Sequence, residues 1–357
     1  MKKFLISILC IVITLTGVAC GVRSTKDYMY YGNSDSFQYT FEAFDTTCST
    51  EMFGVYDSKK ADDFQYSMEN LINAYENVFS KTKLESEIYE INHRTKDYVM
   101  VHEECATLFG LAKDFYQWSN KKFDISAGTL FELWDVKNRT TLPSESEIKE
   151  AMKHTANFDY SIEEIKDEES AKRFKITFHG DKLTKYDFGA LIKGYCCDEL
   201  KRMLSINDEI SACIINLGGN VLVTGSVTNR EGGAFNVGIF KPFSNNETID
   251  VVHVKDKNVI TSGNYQRYFK VDGDDRIYHH IIDPTTGYPT NNGLDSVTIV
   301  SENGLLGDYL STACMLLGEE ESKKLINFAI EKFGDADLQA VFVRSDGTVA
   351  KYPESVK

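Results

Sequence analysis

The chain runs to 357 residues, 42% of them hydrophobic, enough to bury a substantial core in one large domain or two intimate ones. Its formal net charge of −15 at pH 7 would meet the phosphate backbone of nucleic acid with repulsion, which excludes nucleic acid as a partner. None of its eight cysteines forms a Cys-x-x-Cys pair, so the signature of a metal knuckle or dithiol redox centre is absent.

The first segment in chain order reads as a targeting signal. Lys2 and Lys3 precede an apolar run over residues 4–16 that only Ser7 and Thr14 interrupt, and Gly17-Val-Ala-Cys20 follows as a small-residue cleavage site. The run falls short of the roughly 20 apolar residues a membrane-spanning helix needs. A cysteine at the junction resembles a bacterial lipoprotein signal, in which Cys20 carries the lipid and becomes the mature N-terminus; the departure is Gly17, where Leu is usual. The alternative is an ordinary cleaved secretory signal, and both predict export. Removing residues 1–19 takes away two lysines and no acids, leaving a net charge of −17. The expected organisation is a signal over 1–19, a tether over 20–37 and one folded unit over 38–357. The lipoprotein resemblance implies a protein anchored in the lipid bilayer of the bacterial cell membrane and facing outside the cytoplasm.

The folded unit is expected to open with a strand over 38–41. Apolar residues recur at helical spacing over 62–79 (Phe64, Met68, Leu71, Ile72, Tyr75, Val78, Phe79) and again over 104–118. Ser144-x-x-Glu147 is a capping box that opens a short helix. Strands are expected over 174–178, 212–217, 221–225, 235–240, 251–254, 296–300 and 340–343, with helices after Ala190, after Leu305 and over 322–333. The remaining cysteines sit in apolar runs and read as small core residues, with disulfides open after export. Strands mixed irregularly with helices argue an α+β fold.

Chemistry concentrates in a few segments. Asp187-Phe-Gly-Ala-Leu-Ile-Lys-Gly-Tyr195 passes from a strand through Gly189-Ala190 into a helix N-terminus, where free amides favour an anion. Lys193 in that first turn opposes the helix dipole unless it faces an anionic ligand; a solvated lysine is the plain alternative. Asn216-Leu-Gly-Gly-Asn220 permits close backbone approach, or simply makes a turn. His279 and His280 on a strand must point to opposite faces, so only one serves a given site, and a lone histidine is more often structural. Asp308 and Thr312, four apart on a predicted helix, share a face and offer hard oxygens suited to Mg2+, or Asp308 caps a helix start.

Together and in this order, these segments resemble the ApbE family of FAD:protein FMN transferases. The resemblance spans about residues 38–350. It rests on Asp187 to Tyr195 followed by Asp198, on Gly218-Gly-Asn220, on Ser262-Gly-Asn-Tyr-Gln-Arg267, on His280 through Pro289 and on Asp308-x-x-x-Thr312. Weaker matches are Ser86-Glu-Ile-Tyr-Glu-Ile-Asn92, Phe123-Asp124 and Leu133-Trp134. Phe44-Asp45-Thr46 departs from the family's Met-Gly-Thr, Gly189-Ala190 from its Gly-Gly, and Lys121-Lys122 stand where Gly-Ala or Gly-Thr is usual.

The resemblance implies an α+β, T-fold-related architecture of mixed sheets with packed helices. It also implies an enzyme that binds FAD as substrate with Mg2+ and moves FMN to a Thr hydroxyl of an acceptor flavoprotein, releasing AMP. Carried over residue by residue, the Ala190 carbonyl, Asp308 and Thr312 would hold the metal. Phe44, Phe123, Asp124, Asp187, Lys193 and Ile282 would contact the dinucleotide, and His280 with Lys193 would act in catalysis, Asp283 either orienting His280 or stabilising its own turn. Acceptors of this kind include membrane electron-transport or sodium-pumping subunits. An Mg2+-dependent FAD pyrophosphatase giving FMN and AMP would use the same site with water as nucleophile. A non-catalytic FAD-binding lipoprotein is the alternative of another class, though storage needs neither the Asp308–Thr312 pair nor His280.

Overall fold

The computed structural model describes residues 25–31, 34–55, 57–165, 173–227 and 231–354. The signal at 1–19 and Cys20 lie outside the described residues. Strands β1 (Thr25–Tyr31), β2 (Ser34–Ala43) and β3 (Thr46–Phe53) come first, then helices α1 (Ser58–Phe79) and α2 (Glu87–Asn92). Strand β4 (Tyr98–Val101) leads to α3 (Glu103–Trp118), α4 (Gly128–Trp134) and α5 (Glu145–Met152), then β5 (Tyr160–Ile165) and β6 (Arg173–Phe178). Helix α6 (Ile192–Ser205) precedes β7 (Ala212–Leu217), β8 (Asn220–Gly225), β9 (Phe235–Phe240), β10 (Thr248–Val254) and β11 (Asn258–Gly263). Four short strands follow: β12 (Tyr268–Lys270), β13 (Ile277–His279), β14 (Ile282–Asp283) and β15 (Tyr288–Pro289). The chain closes with β16 (Leu294–Ser301), α7 (Gly304–Leu317), α8 (Glu319–Phe333), β17 (Gln339–Arg344) and β18 (Val349–Tyr352).

A nine-stranded sheet in the order β1-β2-β3-β7-β8-β11-β16-β17-β18 organises the molecule. Its ladders are antiparallel, and so are those of the smaller sheets; among the described residues one parallel bridge joins Ala127 to Lys185. Period-two alternation sorts side chains between the faces. Phe37, Tyr39, Phe41, Cys213, Ile215, Leu217, Val297, Ile299, Ala340 and Phe342 turn towards the helices. Phe53, Ala212, Val300, Val341 and Val343 turn the other way, under the β9–β10 hairpin with its Phe235, Ile239, Val252 and Val254. This arrangement is the expected α+β class.

Helix α1 buries Ala61, Phe64, Met68, Ile72, Tyr75 and Phe79, one stripe at helical spacing, and Asp57 caps its N-terminus through the Lys59 amide. Helix α7 is apolar almost all round and correspondingly buried against the sheet and between α6 and α8. A third cluster, Leu130, Trp134, Ile148, Phe269, Tyr278 and Ile282, packs α4 and α5 against the short strands. The Trp134 indole donates to the Gly287 carbonyl at 2.8 Å, which pins the turn after β14. The expected capping box at Ser144–Glu147 is present.

The sheet begins earlier than its expected start at residue 38. Residues 25–31 and 34–37, assigned to the tether, lie in β1 and β2, paired in register from Thr25 with Thr40 to Tyr31 with Ser34. The Tyr-Met-Tyr-Tyr run of β1 has the aromatic content that favours strands, and polarity alone concealed it.

Candidate active site

The site grows from the crossing of α6 and α7. A Cβ on Gly194 would lie 2.2 Å from the Gly304 carbonyl oxygen and 2.6 Å from Asp308 Cβ, and one on Gly304 would lie 2.4 Å from the Gly194 carbonyl oxygen. Only glycines allow this approach. Each helix then caps the other. Asp198 of α6 accepts the Gly304 and Leu305 amides at 2.6 and 2.9 Å, and Asp308 of α7 accepts the Gly194 amide at 2.8 Å. The pattern Gly-x-x-x-Asp occurs in both helices and makes a reciprocal clasp. Asp308 thus caps a helix, though the neighbouring one and not its own.

The clasp lies just past Ala190 in sequence. Ala190 lies just before Leu191, the N-cap of α6, and the Gly194 amide is one of the donors that a helix start leaves without an intrahelical partner. Here it is given to Asp308, and among the described residues no donor takes the Ala190 oxygen. Thr312 stands one turn beyond Asp308, its Oγ1 3.1 Å from Ser262 Oγ on β11. Burial pushes the Asp308 carboxyl up, against the pull of the Lys193 ammonium, the Asn220 side chain and the Gly194 amide. The Asn220 amide nitrogen lies beside this carboxylate but finds no partner of hydrogen-bond geometry. Carbonyl, carboxylate and hydroxyl are a hard-oxygen donor set, and this buried carboxylate lacks the second amide that satisfies Asp198. The residues fit Mg2+.

Around this centre stand the charged groups. Lys193 reaches towards the Gly218 carbonyl at 3.4 Å, where Gly218 and Gly219 both adopt positive φ, 61° and 100°. Asp187 pairs with Lys81 at 2.6 Å and accepts the Gly189 amide at 2.8 Å. Burial pushes its carboxyl up, but Lys81, the Gly189 amide and Arg267 outweigh that and hold it below the usual range. β13 ends at His279, so His280 lies one residue past the strand on which both were expected. His279 is buried and structural, contacting the Thr290 carbonyl through Nε2 at 2.8 Å and accepting the Ile281 amide on Nδ1. His280 is half-buried with Nδ1 3.2 Å from the Arg267 carbonyl. Desolvation, helped by His279, Arg267 and Lys193, lowers it to about 4.

The other expected residues fall into place unevenly. Phe44 and Asp45 form the two-residue turn of the β2–β3 hairpin with positive φ at both, 51° and 59°. The Phe44 amide donates to Glu76, and Asp45 ties the turn to Lys137 at 2.6 Å and to Arg267. The Phe123 ring is buried against Phe115 and Tyr309, and Ile282 is buried in the α4–α5 cluster. Asp124 spends its carboxylate on Ser126 and the Ala156 amide. The side chains of Phe123, Asp124 and Ile282 are thus committed to the protein, and the Phe123 amide also donates to Ser119 Oγ at 2.9 Å. Asp283 accepts Thr285 and pairs with Lys122 at 2.7 Å, so it stabilises its turn and does not orient His280. Lys122 is held by that ion pair and also donates to the Leu316 carbonyl at 3.2 Å.

Sequence reasoning missed Lys81 as the partner of Asp187, and it left Asp198 without a role. The repeated Gly-x-x-x-Asp spacing was the available signal for the second.

A family model described as the ApbE family matches residues 44–333. The chain is 33% identical over 276 residues to the FAD:protein FMN transferase of Klebsiella pneumoniae (strain 342), covering 76% of this chain and 79% of that one. It is 29% identical over 284 residues to the FAD:protein FMN transferase of Treponema pallidum (strain Nichols), covering 76% and 77%. The fold matches the crystal structure of the ApbE protein of Thermotoga maritima with a TM-score of 0.72 at 28% identity, over 88% of this chain and 96% of that one.

Proposed function

The chain belongs to the ApbE family, and from that premise we propose that it is a transferase that moves FMN from FAD to a threonine hydroxyl of an acceptor flavoprotein, with AMP as leaving group. The observation that supports the reading is a buried Asp308 carboxylate that takes the Gly194 amide, with Thr312 one helical turn beyond it and no donor on the Ala190 carbonyl at the start of α6 among the described residues. The Ala190 carbonyl, the Asp308 carboxylate and the Thr312 hydroxyl would hold Mg2+. An ion held there would supply positive charge against the negative charge that develops as a pyrophosphate is cleaved.

The chain's own residues do the rest. Lys193, in the first turn of α6, adds a fixed positive charge beside the amides of a helix N-terminus and so favours an anionic phosphate there. A carbonyl can only accept, so the His280 Nδ1 that faces Arg267 carries the proton and Nε2 is left as acceptor. The depressed pKa keeps the ring neutral at physiological pH. His280 would take the proton from the incoming hydroxyl as its oxygen bonds to the FMN phosphorus; the bond from that phosphorus to the bridging oxygen breaks, and AMP departs with the oxygen and its electron pair.

Incubation with FAD, Mg2+ and a candidate acceptor tests the proposal. The expected result is in-gel flavin fluorescence on the acceptor and a mass increase of one FMN on a threonine. Free FMN with an unlabelled acceptor would mean that water is the nucleophile and would overturn the transferase reading. We further propose export and a lipid on Cys20, supported by the sequence of residues 1–20. Membrane electron-transport or sodium-pumping subunits are the acceptors that such a location would favour. Loss of membrane association in a Cys20→Ala variant is the expected outcome; unchanged association would refute the anchor.

A further inference from the structure

A hydroxyl that binds a cation does so through a lone pair, so its proton must be turned away and accepted elsewhere. The structure supplies that acceptor at Thr312 and fixes the direction of the proton. Three contacts run in series: Thr312 Oγ1 to Ser262 Oγ at 3.1 Å, Ser262 Oγ to Ser311 Oγ at 2.8 Å, and Ser311 Oγ to the Asp308 carbonyl oxygen at 3.0 Å. Three hydroxyl protons serve three contacts. The last acceptor is a carbonyl, which cannot donate, so Ser311 donates to it in the backward manner common for serine in helices. Ser311 then has only lone pairs to offer Ser262, which must donate to it. Ser262 in turn has only lone pairs to offer Thr312, which must donate to Ser262. Every contact is satisfied at once in this orientation alone.

We propose that Ser262 and Ser311 are positioning residues that orient the Thr312 hydroxyl, turning its proton onto β11 and its free lone pair towards the divalent-cation site. The inference rests on the metal reading of Ala190, Asp308 and Thr312 given above. The relay starts on the helix that carries Asp308 and ends on that residue's own carbonyl, so the carboxylate and the hydroxyl are oriented by one short stretch of chain. Ser311 is fully buried, which shields its link from competing water.

Without Ser311, the Ser262 proton is free to turn onto Thr312, where it would compete with a cation. Without Ser262, the Thr312 proton loses its acceptor. Outer partners of metal ligands typically contribute about 10–100-fold in metal affinity. The test titrates Mn2+, a hard-oxygen surrogate for Mg2+, onto the metal-free full chain and follows the loss of the free-ion electron paramagnetic resonance signal. Ser311→Ala and Ser262→Ala are each expected to raise the Mn2+ dissociation constant about 10-fold or more. Ser311→Thr keeps the donor and should restore the wild-type value, which a role in packing alone would not produce. FAD affinity measured in chelator should stay unchanged in all three. Wild-type Mn2+ affinity in Ser311→Ala and Ser262→Ala, with Asp308→Ala abolishing binding, would overturn the relay and keep the metal site. Unchanged binding in Asp308→Ala as well would overturn both. Should Ser311→Ala fail to fold, the half-buried Ser262 decides the matter, because its replacement opens less of the core.

Discussion

At the scale of single residues, His280 and Asp308 carry the sharpest expectations. His280→Ala should lower FMN transfer about 10²–10⁴-fold, the usual contribution of a general base, while FAD binding persists; retained transfer would remove His280 from the mechanism. The ring's folded-state pKa of about 4 lies below the unfolded value near 6.5. The acid limb of kcat/KM, which reports the free enzyme, should therefore fall near pH 4 and not near 6.5. The same shift has a stability sign. Between about pH 6.5 and 4 the unfolded chain binds more protons at this position, so the folded state loses stability as pH falls through that window. A His280→Gln variant should show a shallower loss there by denaturant titration. These two residues stood out in the sequence because their motifs are compact: a histidine before Asp-Pro-x-Thr-Gly and a carboxylate one helical turn from a hydroxyl. What Asp283, Lys122 and Asp124 touch did not, since their partners lie 161 or 32 residues away or in the same turn, and spacing cannot distinguish a turn-stabilising carboxylate from an orienting one.

At the scale of elements, the clasp between α6 and α7 is the feature to break. Gly194→Ala places a methyl group against the Gly304 carbonyl, and the helices must part. A loss of about 1–3 kcal/mol in unfolding free energy is expected, with a raised Mg2+ requirement because Asp308 moves with α7. Gly110→Ala provides the contrast. It sits within α3, exposed, with nothing within 4 Å of an added Cβ, and should gain about 0.5–1 kcal/mol from helix propensity. Chemical denaturation of both variants checks the pair, and equal effects would show that the crossing is not tight. Helices α1, α3, α5 and α8 were readable within a few residues because each carries a stripe or a capping box. Helices α2 and α4, of six and seven residues, are too short for their spacing to speak, and the two-residue strands β14 and β15 exist only because the turn at 284–287 folds them together.

At the scale of the whole molecule, the class was legible from irregularly mixed strands and helices, but the sheet order was not. β3 pairs with β7 across helices α1 to α6, a choice made by which apolar faces meet and recorded nowhere in local pattern. The cysteines obey the same logic. Cys48, Cys105, Cys196, Cys197, Cys213 and Cys314 are all free and buried, and burial pushes every one of these thiols up. In protein lacking residues 1–20, none should react rapidly with Ellman's reagent at pH 8, and all six should react once the chain is unfolded; a fast-reacting thiol in the native state would contradict the packing. The two halves of the clasp are 114 residues apart in sequence, with the strands from β7 to β16 between them. A polypeptide threaded across a membrane from its N-terminus would deliver Ala190 long before Asp308 and Thr312, and so would arrive with no formed pocket and no passenger nucleotide. Its donor flavin would then have to be furnished on the far side, by a supply separate from the route that brings the enzyme.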